Sequence, residues 1–321
     1  MSGINVNMQP TAKPRTWQIL LAFGIIYFVW GSTFLAIRVG VHEVPPLLFA
    51  GMRFLLAGMV LFGWMRARQT PSLSLREWGS ATLLAVLIFV VDYGLLFWAE
   101  QRVPSGLAAV MLATIPVFMT LSDIVILGSQ RLTARLAMAL LVGIAGVAVL
   151  VSHTIDLGEA PIDRSGALAL LVASISWSIA SALTRKLTLP ASKAMSAGAQ
   201  MLVGGALLMV VAALFGEFRE FHVQSVSHAT WFALAYLTVG GSILGFTAYL
   251  WLLHHESATK VATYAYVNPV VAVAIGYFFG GEAIGMRALT GTALVLISVV
   301  VIVTTPKKKS ATRWETEPQE G

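Results

Sequence analysis

Two charged side chains stand inside stretches of the chain that are otherwise apolar. Arg53 lies eight residues after Pro45 in the run PPLLFAGMRFLLAG, and Asp92 lies ten residues before Arg102 in the run VLIFVVDYGLLFW. At 1.5 Å of rise per residue, these spacings place the two side chains about 12 Å and about 15 Å from the same end of their helices. Charges at such depth are unfavourable and usually pair. We therefore expect an Arg53–Asp92 contact, which would serve structure, proton coupling or anion binding.

A second group of polar residues interrupts the apolar run TYAYVNPVVAVAIG, from Thr263 to Gly276. Tyr264 and Asn268 are four residues apart and share a helical face. Pro269 removes one backbone hydrogen bond and frees a carbonyl. Because a buried amide needs a partner, Asn268 would either bind a substrate and line its path or satisfy the carbonyl that Pro269 frees.

The composition places these polar residues in a membrane protein. Of the 321 residues, 57% are hydrophobic and 11% are charged, and the mean hydropathy is +0.81. A soluble domain carries about a quarter charged residues, so this chain cannot cover itself with polar surface. Cysteine is absent, which excludes disulfides and thiol nucleophiles. The net charge of +6 does not indicate nucleic acid, because the basic residues lie in short segments between apolar runs.

Ten apolar segments are long enough, at roughly 20 residues each, to cross a bilayer. They begin near Trp17, Pro45, Gly79, Pro104, Leu136, Gly166, Ala194, Ala229, Lys260 and Ala288. Fifteen of the 21 Lys and Arg residues lie on the side of the two termini, five lie on the opposite side, and Arg53 lies within a span. The positive-inside rule therefore predicts cytoplasmic termini. Residues 1–16 and 305–321 are predicted to be polar tails.

The chain repeats itself with a nearly constant offset. A shift of 147 residues aligns Arg38 with Arg185 and the stretch AGMRFLLAG with AGAQMLVGG. The two halves, predicted as residues 17–152 and 166–304, then hold five spans each. Because five is odd, the second half enters the membrane in the opposite orientation. Such an inverted repeat offers one site two routes of opening, one to each side, which is the basis of alternating access.

Two prolines stand at matching positions of the halves, because a shift of 153 residues aligns Pro116 with Pro269. Pro116 lies about 18 Å and Pro269 about 13 Å along their spans, so both fall near the middle of the membrane. Paired breaks of this kind are the best sequence pointer to a transport site. The alternative is a pair of packing kinks, which proline makes in many membrane helices.

Trp30 and Trp177 occupy matching positions in the first spans of the halves. Their neighbours in WGST and SWSIAS are small and polar, which favours an aromatic cavity wall over membership of the interfacial aromatic belt. Arg53 matches the neutral Gln200, so the predicted site is electrostatically asymmetric. Arg53 in a cavity would suit a substrate carboxylate, and the alternative is a structural arginine that binds helix carbonyls.

The remaining polar residues give weaker indications of function. Glu100 and Glu282 lie near span ends, where we expect them to be solvated. Gly241 and Gly245 form a GxxxG pattern, which is typical of close helix packing. The chain carries no P-loop, dinucleotide fingerprint, GxSxG or HExxH motif. We therefore predict no catalytic residue, no cofactor and no metal site.

Four stretches resemble the EamA family of the drug/metabolite transporter superfamily, and within it the YedA-like subgroup: FVWGSTFLAIRVG, PPLLFAGMRFLLAG, AEQRVPSGLAAVMLATIPVF and ATYAYVNPVVAVAIGYFFGGE. The resemblance runs from Trp17 to Thr304. It implies ten helices in two inverted five-helix repeats in a bacterial inner membrane, and export of amino acids and other small metabolites. It also implies a central cavity lined by the first, third, fourth, sixth, eighth and ninth spans.

The resemblance makes five residues candidates for the lining of that cavity: Trp30, Trp177, Tyr249, Tyr264 and Asn268. Glu282 matches the Gly-Glu pair that often ends the ninth span of the family. The first half has LGSQ at the corresponding place. We therefore expect that the role of this acid is not duplicated.

The predicted function is a secondary transporter, not an enzyme, that exports small metabolites by alternating access. Amino acids are candidate substrates and protons a candidate driving ion. The candidate cavity and pathway residues are Trp30, Arg53, Asp92, Pro116, Trp177, Tyr249, Tyr264, Asn268 and Pro269. The predicted partners are a small-molecule substrate and membrane lipid, not nucleic acid, and the oligomeric state stays open.

Three alternatives stay open on the sequence alone. An importer or exchanger of sugar phosphates or nucleotide sugars needs several basic residues in the cavity. An intramembrane enzyme needs a compact set of acids or histidines at one membrane depth. A passive channel would show flux without saturation or counterflow.

Overall fold

The computed structural model describes residues 15–128, 133–151, 163–256, 261, 264–282 and 285–304. Within these ranges all regular secondary structure is helical, which confirms the predicted all-α class. The predicted tails, apart from residues 15 and 16, fall outside them, and so does the predicted start of the ninth span at Lys260.

The first half of the chain forms α1 (Thr16–Val41), α2 (Pro46–Ala67), α3 (Leu75–Glu100), α4 (Ser105–Leu127) and α5 (Ala134–Val151). Three of these helices contain π-helical turns, at Ile25–Val29, Val86–Tyr93 and Asp123–Leu127. The helix starts follow local chemistry. Pro46 occupies the first turn of α2, where its missing N–H costs nothing, and Ser74 and Glu77 form a capping box at the start of α3.

The second half forms α6 (Arg164–Thr184), α7 (Lys193–Leu214), α8 (residues 228–255), α9 (Tyr264–Gly280) and α10 (Met286–Thr304). The segment Leu237–Leu244 of α8 is π-helical, close to the position that matches the π-helical turn of α3. Side-chain oxygens of Asp163, Ser192 and Ser227 accept hydrogen bonds from backbone N–H groups in the first turns of α6, α7 and α8.

Seven of these helices are long and apolar enough to cross a membrane: α1, α2, α3, α4, α6, α7 and α8. In the described parts of α5, α9 and α10 the apolar stretches are shorter, at Ala134–Gly146, Val267–Gly280 and Leu289–Val301. The chain is therefore a multi-pass membrane protein with seven spans recognisable in its described residues. The ten predicted spans stay a prediction.

The closest approach between the two halves is the contact of α2 with α7. A methyl group added to Gly58 would collide with the backbone of Leu202, and one added to Gly205 would collide with the backbone of Leu55. The offset of 147 found in the sequence carries Gly58 to Gly205 and Leu55 to Leu202, so each contact is the image of the other. Residue numbers rise along α2 as they fall along α7. The two helices are therefore antiparallel and related by a pseudo-two-fold axis.

The remaining packing follows the same symmetry. The first helix of each half packs on the third and fourth helices of the other half: α1 on α8 and α9, and α6 on α3 and α4. The fifth helices, α5 and α10, pack on each other. Each half therefore supplies part of the surroundings of the other half, and the middle of the bundle is built jointly.

We name the ends of the bundle by two acids. The Glu282 end holds the last turns of α1, α3 and α9, and the Asp123 end holds the last turns of α4 and α6. At the Glu282 end, loops cap helices of other segments. Glu217 accepts from the backbone N–H of Leu48 at 2.7 Å, and Glu43 accepts from that of Ser227 at 2.7 Å. The bond from Ser227 holds the pKa of Glu43 below its ordinary value.

The glycine contact between α2 and α7 can be tested with two alanine substitutions on one helix. Gly58→Ala should lower the free energy of unfolding by about 1–3 kcal/mol, because the added methyl group forces two backbones apart. Gly63→Ala is the control, since a side chain there meets nothing within 4 Å. It should be neutral or stabilising by up to about 1 kcal/mol through helix propensity. Thermal unfolding midpoints in detergent provide the measurement, and equal midpoints would contradict the packing.

Candidate functional site

Arg53 lies at the centre of the candidate site and is only 2% exposed. Its Nε donates to the Ser242 hydroxyl of α8 at 3.0 Å. Its guanidinium carbon lies 4.7 Å from the ring centroid of Phe54, 5.4 Å from that of Tyr93 and 5.9 Å from that of Phe97. These aromatic faces offset part of the lost hydration of the cation. One terminal nitrogen, Nη1, has no hydrogen-bond partner among the described residues.

The predicted contact between Arg53 and Asp92 is wrong. The ion pairs found among the described residues are Arg38–Glu282 and Arg185–Asp123. Arg53 turns towards α8, whereas the π-helical turn that carries Asp92 packs against α6 and α7. The prediction used depth alone, and a π-helical turn changes the angular position of the residues that follow it.

Asp92 is nevertheless buried, at 2% exposure. One of its carboxylate oxygens, Oδ1, has no hydrogen-bond partner in the described part of the chain. The site therefore contains a buried cation and a buried acid that do not neutralise each other. Each retains an unused hydrogen-bonding atom.

Three aromatic rings from α1, α8 and α9 form a cluster beside Arg53. Trp30 lies 5.4 Å from Tyr249 and 5.3 Å from Tyr264, and the two tyrosines lie 5.9 Å apart, each distance between ring centroids. Trp30 Nε1 donates to the carbonyl of Gly241 at 2.9 Å. The indole thus lies between helices with its polar atom satisfied, and its place in a cavity wall stays a prediction.

The predicted GxxxG packing has a specific occupant. A side chain at Gly245 would collide with the indole nitrogen of Trp30, and one at Gly241 would stand 3.0 Å from a terminal nitrogen of Arg53. The two glycines therefore make room for the tryptophan and the arginine. Substitution at either position would push these functional candidates out of place.

Trp177 belongs to the same network through a residue that the sequence did not single out. Tyr93 of α3 lies edge-on to Trp177 at 6.2 Å between ring centroids, and it also contacts Arg53. The two equivalent tryptophans are thus joined by the path Trp30, α8 backbone, Arg53, Tyr93, Trp177. The signal in the sequence that could have identified Tyr93 was its position directly after Asp92. Ser242 had no comparable signal beyond its place after Gly241.

The amide of Asn268 bonds to α1 and not to the carbonyl that Pro269 frees; its expected role in lining a substrate path stays a prediction. With its amide oriented so that both polar atoms are satisfied, its nitrogen donates to the carbonyls of Ile26 and Tyr27, each at 3.2 Å. These carbonyls belong to the π-helical turn of α1, where the regular hydrogen-bond pattern is disturbed. Asn268 therefore couples α9 to an irregular turn in α1 and does not satisfy the carbonyl that Pro269 frees.

The two prolines act differently, so the expected pair of matching breaks is wrong in this structure. At Pro116, α4 is interrupted: a helical segment ends at Leu112 and the next begins at Ile115, which places Pro116 in a first turn. Ser178 of α6 donates to the Ile115 carbonyl there at 3.2 Å. Pro269 instead lies inside α9, which continues through it. Proline is tolerated inside many membrane helices, because neighbouring groups satisfy the backbone atoms that it frees.

The expectation that Glu100 and Glu282 are solvated is wrong. Glu282 accepts from the backbone N–H and the hydroxyl of Ser105, each at 2.7 Å, and from the N–H of Gly106 at 3.0 Å. Its Oε1 also lies 3.6 Å from Nε of Arg38. Glu100 is fully buried, and neither carboxylate oxygen has a partner among the described residues. A position near the end of a span therefore does not ensure that a carboxylate is hydrated, because the loop folds back over the helix ends and buries it.

The larger cavity lies away from these residues. It measures about 720 Å³ at the Glu282 end and is lined by the α1–α2 turn, α3 and α7, including Trp98 and Glu217. None of the nine candidate site residues lines it. Arg53 and Asp92 are both buried, so solvent does not reach the centre of the network in this conformation. The described residues also contain no cluster of three metal-ligating side chains.

Comparisons with known proteins agree on a transporter family. The EamA-like transporter family model matches the chain twice, over residues 16–152 and 164–304. An Escherichia coli K12 protein named uncharacterized inner membrane transporter YedA is 37% identical over 294 residues, covering 90% of this chain and 92% of its own. A Salmonella typhimurium protein named probable amino-acid metabolite efflux pump is 27% identical, covering 87% of this chain and 92% of its own.

A solved crystal structure extends the likeness to three dimensions. It aligns with a TM-score of 0.59 at 21% identity and covers 90% of this chain and 98% of its own. At that identity the similarity shows the fold alone.

The role of Asn268 can be tested by separating stability from transport. Asn268→Ala removes the amide donor from two buried carbonyls and should lower the free energy of unfolding by about 1–3 kcal/mol. Gln101→Ala is the matched control, since that amide belongs to an exposed side chain that donates to the Val41 carbonyl at 3.1 Å, and water can reach the amide. Thermal unfolding in detergent measures both. An unchanged midpoint with lost transport would instead make Asn268 a substrate ligand.

Proposed function

The chain belongs to the EamA-like transporter family, and from this premise we propose that it is a secondary transporter that exports small metabolites across a bacterial inner membrane by alternating access. Amino acids are the proposed substrate class. The named relatives include an inner membrane transporter and a probable amino-acid metabolite efflux pump, which supports both parts of the proposal.

One observation carries the proposal: a buried guanidinium group lies at the junction of the two halves with a nitrogen unused. Arg53 belongs to the first half, and its partner Ser242 belongs to the second. A substrate carboxylate would supply the missing acceptor in a charge-assisted hydrogen bond. Trp30 and Trp177 lie at the two ends of the aromatic network around it, where they would contact the rest of the substrate.

The membrane topology of this proposal comprises ten spans, with both termini in the cytoplasm. The three helices with shorter described apolar stretches would complete the seven recognisable spans, since α5 packs on α10 and α9 packs on α1. The Glu282 end would then face outwards and the Asp123 end the cytoplasm. The antiparallel contact of α2 with α7 supports the inverted repeat that this topology requires.

Proton coupling is the proposed source of energy. Asp92 is a buried carboxyl group with an unpaired oxygen, and a proton relay in a membrane span uses a group of this kind. It lies next to Tyr93, which contacts Arg53, so its charge can influence the proposed substrate site.

The competing functions make different demands on the same region. A carrier of sugar phosphates needs several cations around the substrate, whereas Arg53 is the one buried basic side chain among the described residues. An intramembrane enzyme would turn over its substrate in the absence of a membrane boundary. A channel would pass solute without saturation.

The direct test is counterflow in proteoliposomes that contain the purified protein. Vesicles loaded with a pool of amino acids are challenged with labelled members one at a time, with and without a pH gradient. Saturable accumulation of one class would support the carrier and identify its substrate. Accumulation of phosphorylated sugars instead, or chemical conversion of the label, would replace the proposal with one of its competitors.

Arg53 provides a specific prediction for the substrate class. Arg53→Gln should raise the KM for carboxylate substrates by about 10- to 100-fold, because a hydrogen bond to a charged group is worth about 1.5–3 kcal/mol. Arg68→Gln is the control, since Arg68 is exposed and stacks on Trp64 at 4.9 Å. Initial rates of counterflow give KM for both. Equal effects on a substrate and on its neutral amide analogue would contradict a carboxylate partner.

Asp92 provides a prediction for coupling. Asp92→Asn keeps the shape of the side chain but cannot exchange a proton, so it should abolish accumulation driven by a pH gradient and retain counterflow. Asp163→Asn is the control, because Asp163 is an exposed cap of α6 that bonds Gly166 at 2.7 Å. Gradient-driven accumulation that persists in Asp92→Asn would assign coupling to another group, with Glu100 the next buried candidate.

A further inference from the structure

The two ion pairs of the described structure lie at opposite ends of the bundle. Arg38 pairs with Glu282 across the last turns of α1 and α9, and Arg185 pairs with Asp123 across the last turns of α6 and α4. From Ser105 beside Glu282 to Asp123 is 18 residues, or about 27 Å at 1.5 Å per residue. The pairs therefore lie close to the two surfaces of the membrane region, with the aromatic network between them.

The arginines of these pairs are equivalent under the repeat. The offset of 147 carries Arg38 to Arg185, and each ends the first helix of its half. The partner helices are equivalent too, because α9 and α4 are the fourth helices of their halves. The acids, however, do not align. The offset of 153 that matches Pro116 with Pro269 carries Asp123 to Gly276 and not to Glu282.

The structure resolves this mismatch in space. A Cβ atom added to Gly276 would lie 2.5 Å from Oε2 of Glu282 and 3.0 Å from its carboxyl carbon. The carboxylate of Glu282 thus fills the place where a side chain equivalent to that of Asp123 would begin. The absence of a side chain at residue 276 is what leaves room for it.

A tight reversal brings Glu282 back to this point. Gly281 has a φ of 64°, a left-handed conformation that glycine adopts without strain. The N–H of Glu282 then donates to the Gly276 carbonyl at 3.0 Å, which closes the end of α9. The expectation that the role of Glu282 is not duplicated came from the aligned stretch LGSQ; in space the matching acid is Asp123, six residues earlier in the aligned repeat.

Each pair ties the first helix of one half to the fourth helix of the other. At the Glu282 end, Arg38 also donates to the Val103 carbonyl at 2.7 Å, and Glu282 caps the start of α4. At the Asp123 end, Lys186 adds a bond to the Ile126 carbonyl at 2.5 Å. Both carboxylates are largely buried, with side-chain exposures of 9% for Glu282 and 8% for Asp123. These are contacts that an opening of either end must break.

We propose that Arg38–Glu282 and Arg185–Asp123 are equivalent clamps that close the two ends of the transport path, and that each opens while the other stays closed. The inference rests on the alternating access proposed above. It assigns Glu282 and Asp123 the same task at opposite membrane surfaces. In the present structure both clamps are formed, in agreement with the closed surroundings of Arg53.

The test uses the absence of cysteine from the chain. Thr238→Cys places one thiol in the π-helical turn of α8, where the native residue is 7% exposed and its hydroxyl has no partner among the described residues. An impermeant maleimide is applied from each side of vesicles of known protein orientation. The labelling rate from one side reports how often that end is open, and no substrate is needed.

Breaking one clamp should favour opening at its own end. Glu282→Gln should raise labelling from the Glu282 end relative to labelling from the Asp123 end, and the ratio of the two rates should change by about tenfold for a clamp worth about 1.4 kcal/mol. Asp123→Asn should do the reverse. Asp163→Asn, an exposed acid at the Glu282 end, should leave both rates unchanged. Shifts in the same direction, or no shift in folded protein, would overturn the proposal.

Two further variants separate the clamp from other roles of the acids. Arg38→Gln and Arg185→Gln break the same pairs but leave Glu282 free to cap α4, so they should reproduce the shifts of Glu282→Gln and Asp123→Asn even if the acid variants fold poorly. Counterflow is measured in parallel. Opposite labelling shifts without counterflow would refute the transport proposal and keep the clamps, whereas counterflow with parallel shifts would refute the clamps alone.

Discussion

Backbone contact between α2 and α7 is the constraint on which the rest of the structure depends. Glycine at residues 58 and 205 lets each helix approach the main chain of the other, and the contact fixes both their register and their antiparallel direction. That register defines the pseudo-two-fold axis, and the axis dictates that the first helix of each half packs on the third and fourth helices of the other. Arg53, on α2, is thereby held against α8, and the site at the centre belongs to neither half alone.

The interior around this axis is more polar than packing alone would require. A membrane interior leaves no water to satisfy stray backbone groups, so irregular turns need side-chain partners. Asn268 provides such a partner for α1, and the hydroxyl of Ser178 does so at the interruption of α4. Arg53, Asp92 and Glu100 keep polar atoms for which the described residues offer no partner. Asn268 and Ser178 thus use their polar atoms to complete the fold, whereas Arg53, Asp92 and Glu100 retain unused hydrogen-bonding atoms.

The sequence predicted the helices well because their signals are local. Apolar runs placed the starts of the described helices to within a few residues, and the offset of 147 anticipated the equivalence that the glycine contacts display. The resemblance named Trp30, Tyr249 and Tyr264 as cavity-lining candidates, which stays a prediction, and the structure brings their rings together. Errors arose where the answer depends on geometry between helices. The depth of Arg53 and Asp92 in the membrane does not determine the direction in which their side chains point. A pattern that assumes 3.6 residues per turn also does not reveal π-helical turns. Glu100 and Glu282 were wrongly predicted to be solvated, because no periodic pattern in the sequence shows that a loop folds over the helix ends.

Gly276 and Glu282 show that the two halves match in three-dimensional position but not residue by residue. An acid that has moved six positions along the chain reaches the same point in space, provided that the position it left is empty and the chain can reverse at Gly281. A residue-by-residue alignment of the halves scores Asp123 against Gly276 as a charge lost. In the structure the two residues act together: Gly276 leaves a space, and the carboxylate of Glu282 fills it. The two halves can therefore place an acid at equivalent points of the fold by different routes along the chain.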